Sequence, residues 1–170
     1  MQKLFRSGPM ALLIAIGAPV AAQTAVGETL HWQSINGIAQ ANNVVGTGSG
    51  AVTGGGLPWS AQQGRASVDL RTGRVSFDVR GLAFAGGNAV GTPGPVAQVK
   101  GTLVCDTDGS ASGGNSALID TPLVDLDDEG DARFEGVVGP LPVACATEAD
   151  VAFLIRIGSG RWIANGTVLR

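Results

Sequence analysis

Residues 65–80 read RASVDLRTGRVSFDVR, and this stretch decides the fold. Ala66, Val68 and Leu70 alternate with Ser67, Asp69 and Arg71; Val75, Phe77 and Val79 alternate with Ser76, Asp78 and Arg80. A period of two sends successive side chains to opposite faces of a strand, so each half is a half-buried strand with one apolar face. Thr72-Gly73 is the turn between them, and the whole is an antiparallel hairpin. Its wet face carries arginines and acids, whose cross-strand pairs are worth about 0.2–1 kcal/mol each.

The same reading extends in both directions. Thr29–Gln33 (TLHWQ) is a short first strand. Val96–Cys105 places Val99, Leu103 and Cys105 on one face, and Ser116–Val124 returns beside it. Ala132, Phe134, Gly136 and Val138 alternate with Asp131, Arg133 and Glu135. Residues 150–157 (DVAFLIRI) are apolar on both faces except at Arg156, as in a strand covered on two sides. Residues 161–169 (RWIANGTVL) close the chain's pattern. No helical period is sustained anywhere. The expected architecture is all-β: an antiparallel β-sandwich or open barrel of about seven to eight short strands joined mostly by hairpins.

Two glycine-rich stretches interrupt this pattern. Gly46–Trp59 contains the letters of a dinucleotide fingerprint, but more glycine and then Pro58 follow where a helix should start, so a flexible loop or irregular edge strand is expected. Gly81–Pro95 is a long connection without regular structure, a kind that is often functional.

The first residues read as an export signal. Lys3 and Arg6 precede the apolar run Met10–Ile16, and Val20-Ala21-Ala22 is a small-residue cleavage site. The domain organisation is therefore a signal peptide over residues 1–22, a leader and glycine-rich segment over 23–63, and a β core over 64–170 that forms a single domain with 23–63. The apolar run is too short to span a bilayer, which takes about 20 residues. The expected location is secreted or periplasmic, with no membrane insertion after cleavage. Without Lys3 and Arg6, nine basic residues face fourteen acidic ones. That balance argues against nucleic acid and anionic membrane as partners; the sequence names no other partner and no oligomeric state.

Export also makes a disulfide between the two cysteines, Cys105 and Cys145, the expected state. Closing a loop of about 40 residues would stabilise the fold by about 4 kcal/mol on the chain-entropy account. Between these cysteines lie nine carboxylates and one base, Arg133. Asp125, Asp127, Glu129 and Asp131 follow the alternate spacing of a calcium loop and are the candidate metal ligands, with Ca²⁺ the one candidate cofactor. The match stops at Gly136, which stands where a bidentate glutamate belongs. A second acidic turn holds Asp106 and Asp108. The arginines of the hairpin, Arg65, Arg71, Arg74 and Arg80, offer another way to neutralise these turns.

Residues 64–82 (GRASVDLRTGRVSFDVRGL) resemble the repeating hairpins of chordin-type CHRD domains, which are secreted β-modules. The resemblance implies a fold class and carries over no functional residue, because the histidine-containing segment that follows in that family is replaced by AFAGGNAVGTPG.

Nucleophilic catalysis needs a histidine-like base, and the chain has one histidine, His31. The expected function is a secreted, non-catalytic β-sandwich module with a binding or structural role. The alternative is a carboxylate-based hydrolase acting on extracellular glycans, which would require two acids across a cleft lined by Trp32, Trp59 or Trp162. No residue is assigned a catalytic role.

Overall fold

The structure, a computed structural model, describes residues 29–147 and 150–169; the expected signal peptide and residues 23–28 lie outside the described residues. In chain order the strands are β1 (Thr29–Gly37), β2 (Val44–Val45), β3 (Val52–Thr53), β4 (Trp59–Ser60), β5 (Gln63–Asp69), β6 (Arg74–Arg80) and β7 (Ala83–Phe84). They continue with β8 (Gln98–Cys105), β9 (Ala117–Asp120), β10 (Val124–Asp125), β11 (Ala132–Val137), β12 (Val151–Ile157) and β13 (Trp162–Leu169). One short helix, α1 (Val143–Thr147), follows the Gly139–Pro142 break.

One antiparallel sheet dominates, in the order β10-β8-β12-β13-β1-β5-β6-β11. β9 also pairs with β8, along the same edge as β10. Pro122 splits that edge, because it has no N–H to give a ladder. The backbone N–H of Thr121 still reaches the Gly101 carbonyl (2.8 Å), and Gly101 N–H donates to the Thr121 hydroxyl (2.9 Å).

The sheet curls into an open half-barrel, and its aromatic rings show the curl. β6 and β12 are separated by three strands in the sheet, yet the Phe77 and Phe153 rings lie 6.1 Å apart. Trp32 of β1 stands 5.4 Å from Phe153. Gly101 of β8 closes the other side: a Cβ there would stand 2.8 Å from Phe153 Cζ and 3.0 Å from Phe77 Cδ1. Only glycine lets the β8 backbone approach these rings so closely. Phe153, Leu154 and Ile155 are all fully buried, so β12 is covered on both faces as its sequence implies.

The expected all-β antiparallel class is what the chain adopts. Connectivity differs from a run of hairpins, because β1 pairs with β13 and β5, and β11 pairs with β6. The glycine tract is an ordered cover. Gly50 lies against Ser116, where a Cβ would sit 1.9 Å from the Ser116 carbonyl oxygen. Val52 and Trp59 from this tract are buried, and Trp59 packs on Phe84 at 4.1 Å through the β4–β7 pair.

Cys105, at the end of β8, and Cys145, in α1, form a disulfide with Cα atoms 5.0 Å apart. Both are fully buried. Among the described residues no helix is long and apolar enough to cross a membrane.

Candidate functional site

The structure gives the carboxylates of the acidic turn separate partners. Asp125 accepts a hydrogen bond from Gln98 Nε2 (3.1 Å), and Asp127 Oδ1 accepts the Asp131 N–H (2.7 Å). Asp131 Oδ1 accepts the Gly81 N–H (3.0 Å), while Glu129 is exposed at the tip. Asp127 and Asp131 thus cap backbone donors of the turn and of the neighbouring strand connection. Among the described residues no three His, Cys, Asp or Glu side chains are grouped so that they could hold an ion.

The second acidic turn contains a buried carboxylate. Asp106 adopts φ 55°, a left-handed conformation that Asp tolerates better than most residues. Ser112 Oγ and the Ala111 N–H donate to its two oxygens, and Ser116 Oγ donates to its carbonyl (2.8 Å). Asp106 thus organises the loop between β8 and β9. The Ser112 hydroxyl bond outweighs the cost of burial and holds the Asp106 carboxyl below its ordinary range, with backbone N–H groups adding to the effect.

A third arrangement, Lys100–Asp120–Arg156, ties β9 to β8 and β12. Asp120 accepts from Lys100 Nζ, from Thr102 Oγ1 (2.6 Å) and from Arg156 (3.1 Å). Desolvation pushes its carboxyl up, but the Lys100 and Thr102 hydrogen bonds and the two cationic charges prevail and leave it lowered. Asp69, which accepts the Arg71 and Thr72 N–H groups at the hairpin turn, is lowered chiefly by the Thr72 bond.

All three shifts have the same sign, which fixes a pH dependence. In acid the unfolded chain binds protons that the folded carboxylates resist, so stability is complete above the unfolded carboxylate value of about 4 and falls as pH drops through the lower folded values. Thermal melts from neutral pH to pH 2 are expected to show a plateau and then a decline. Asp106→Asn should lower the plateau and flatten the decline; an equally steep decline in that variant would show that Asp106 contributes nothing to it.

The candidate binding site lies elsewhere, on the outer face of β1, β5, β6 and β11. Register brings Trp32, Ala66, Phe77 and Phe134 into one cross-strand row. Their backbone forms the floor of a depression of about 570 Å³. The residues on either side of that row point outward and make two polar walls. One wall is His31, Ser67, Ser76 and Glu135, with the two serine hydroxyls 2.8 Å apart. The other is Gln33, Arg65, Asp78 and Arg133.

Two arginines pair with one acid here. Arg65 and Arg80 reach Asp78 at 3.8 and 3.4 Å, and Arg133 is its direct cross-strand neighbour. Glu135 is engaged by Arg74 at 3.3 Å. Arg65, Arg74 and Arg80 therefore pair with Asp78 and Glu135, and among the described residues no salt bridge joins the hairpin arginines to Asp125–Asp131.

The hairpin supplied four of the eight wall residues by simple alternation. The other four come from β1 and β11, far away in sequence, and only the strand order aligns them. The three tryptophans are all core residues, each no more than 4% exposed. No protein-family model, curated protein or solved structure matches this chain.

Proposed function

We propose that the protein is an exported, non-catalytic module that binds a small polar ligand carrying a carboxylate on the outer face of β1-β5-β6-β11. The observation that carries this reading is the pairing of two guanidinium groups, Arg65 and Arg80, with the single carboxylate of Asp78, beside which Arg133 stands as the cross-strand neighbour. Arginine offers a planar fork of donors that fits a carboxylate, and Ser67, Ser76, Gln33 and His31 surround it with hydrogen-bonding groups. The acid excess of the whole chain favours a small ligand over a long polyanion, which would be repelled beyond the patch. The disulfide is consistent with an oxidising compartment, and the leader sequence supplies the route there.

Glycan hydrolysis is the less favoured reading. Asp78 and Glu135 share one face of one sheet and each is engaged by arginine, whereas hydrolysis places two acids on opposite sides of a sugar ring.

Calorimetric titration with glucuronate, glucose and glutarate separates the contributions. Glucuronate is expected to bind, glutarate more weakly, and glucose least, with affinity falling as salt is raised. Replacing Arg65 and Arg80 together by serine should weaken glucuronate binding about tenfold or more, while Arg71→Ser, at the exposed hairpin turn, should not. Equal binding of glucose and glucuronate, or full affinity in the double variant, would overturn the proposal.

A further inference from the structure

Among the described residues β11 is the last strand of the sheet and pairs within it only with β6. Its backbone parity follows from the observed bonds. Val138 N–H donates to Gly73 O (3.0 Å) in line with the Ala132↔Val79 register, so the even-numbered residues turn their N–H and C=O groups to β6. The groups of Arg133, Glu135 and Val137 therefore point to the open side. Asp131, one step earlier, is already matched, since it exchanges backbone and side-chain bonds with Asp127. The free edge thus runs from Arg133 to Val137. Val137 is 61% exposed, and Phe134 is half-buried, stacked on Phe77 at 6.1 Å.

A row of unpaired donors and acceptors is a template for another strand. We propose that the occupant is the β11 edge of a second copy of this chain, paired antiparallel about a two-fold axis at Phe134. Charge selects both the partner and the register. Only odd-numbered residues can exchange bonds across this edge, so few registers exist. Centring on Arg133 opposes two arginines, and centring on Glu135 opposes two glutamates. Centring on Phe134 sets Arg133 against the partner's Glu135 twice, and Ala132 against the partner's Gly136. Opposite charges directly across a pair stabilise it and like charges destabilise it. The same register brings the two half-buried Phe134 rings together and flanks them with the two smallest side chains of the strand. The Arg74–Glu135 pair within one chain is exposed on both sides and gives way readily. The resulting assembly runs β1-β5-β6-β11 of one copy into β11-β6-β5-β1 of the other, with closed two-fold symmetry. The pairing draws on Arg133 and Glu135, which also line the candidate ligand site; the ligand test rests on Arg65 and Arg80, so the two proposals fail separately.

Sedimentation of the purified chain over a wide concentration range tests this. A reversible monomer–dimer equilibrium is expected. Arg133→Glu alone and Glu135→Arg alone should each weaken it about tenfold or more, because each turns two attractive pairs into repulsive ones. The double exchange Arg133→Glu/Glu135→Arg should restore it. Glu135→Pro removes an outward N–H without touching the ladder to β6, so it should leave a folded monomer; circular dichroism confirms the fold. A wild type that is monomeric up to its solubility limit overturns the proposal, as do single exchanges that dimerise undiminished. Failure of the double exchange to recover overturns the register.

Discussion

Phe153→Ala is expected to lower the free energy of unfolding by about 3–5 kcal/mol. The ring is fully buried at the point where the curled sheet meets itself, 5.4 Å from Trp32 and 6.1 Å from Phe77. Its removal leaves a cavity whose walls are two other large rings and the Gly101 backbone. None of these can slide inward without breaking strand pairing, so the cavity stays open and the cost sits at the upper part of the range. Folded domains are stable by only about 5–15 kcal/mol, so a third or more of the total would be lost. Urea unfolding followed by tryptophan fluorescence measures it, with Val90→Ala, at a position 60% exposed, as a control expected to stay within about 0.5 kcal/mol. A cost for Phe153→Ala no larger than the control's would mean that the rings do not form one core.

The curl itself was not legible in the sequence, although most of its strands were. Alternation identified the Arg65–Arg80 hairpin, and the unbroken apolar run Val151–Ile155 marked a strand covered on both faces. Both are local signals, carried by neighbours in the chain. Which strand lies beside which is a non-local question, and no pattern within β1 reveals that it sits between β13 and β5. The β1 alternation also slips, with Trp32 and Ile35 both buried three positions apart. Gly64 and Gly166 make room for them: a Cβ on Gly64 would stand 2.5 Å from Ile35 Cβ.

The candidate site shows the same division. Arg65, Ser67, Ser76 and Asp78 could be assigned to an outward face from the sequence. His31, Gln33, Arg133 and Glu135 could be assigned only to outward faces of unrelated strands, and the sheet order makes them one surface. Conversely, the acidic turn Asp125–Asp131 matches a metal-ligand pattern because its carboxylates fall at alternate positions. In a tight turn the same residues are favoured because their oxygens accept backbone N–H groups, as Asp127 and Asp131 do. Composition cannot separate the two uses; the direction of each oxygen does.

Replacing Cys105 and Cys145 together by alanine is expected to destabilise the fold by about 4 kcal/mol, the loop-closure entropy returned to the unfolded chain. The two cysteines are 40 positions apart. The loop they close holds β9, β10 and β11, which between them form both edges of the half-barrel. β9 and β10 pair with β8 close by in sequence, but β11 must find β6 on the far side of the sheet. The bond keeps β11 near the growing sheet while it does so. The loss should therefore appear mainly as slower folding rather than faster unfolding, because the constraint acts on the unfolded chain. Reducing the wild type should reproduce both the size and the kinetic form of the effect. Single alanine variants should be no more stable than the double, since each leaves a thiol in a site that is fully buried. Stopped-flow refolding of these variants beside the oxidised and reduced wild type decides the matter. An unchanged folding rate with a lowered midpoint would place the contribution in native packing around the sulfurs, and an unchanged midpoint would remove the disulfide from the account of this fold's stability.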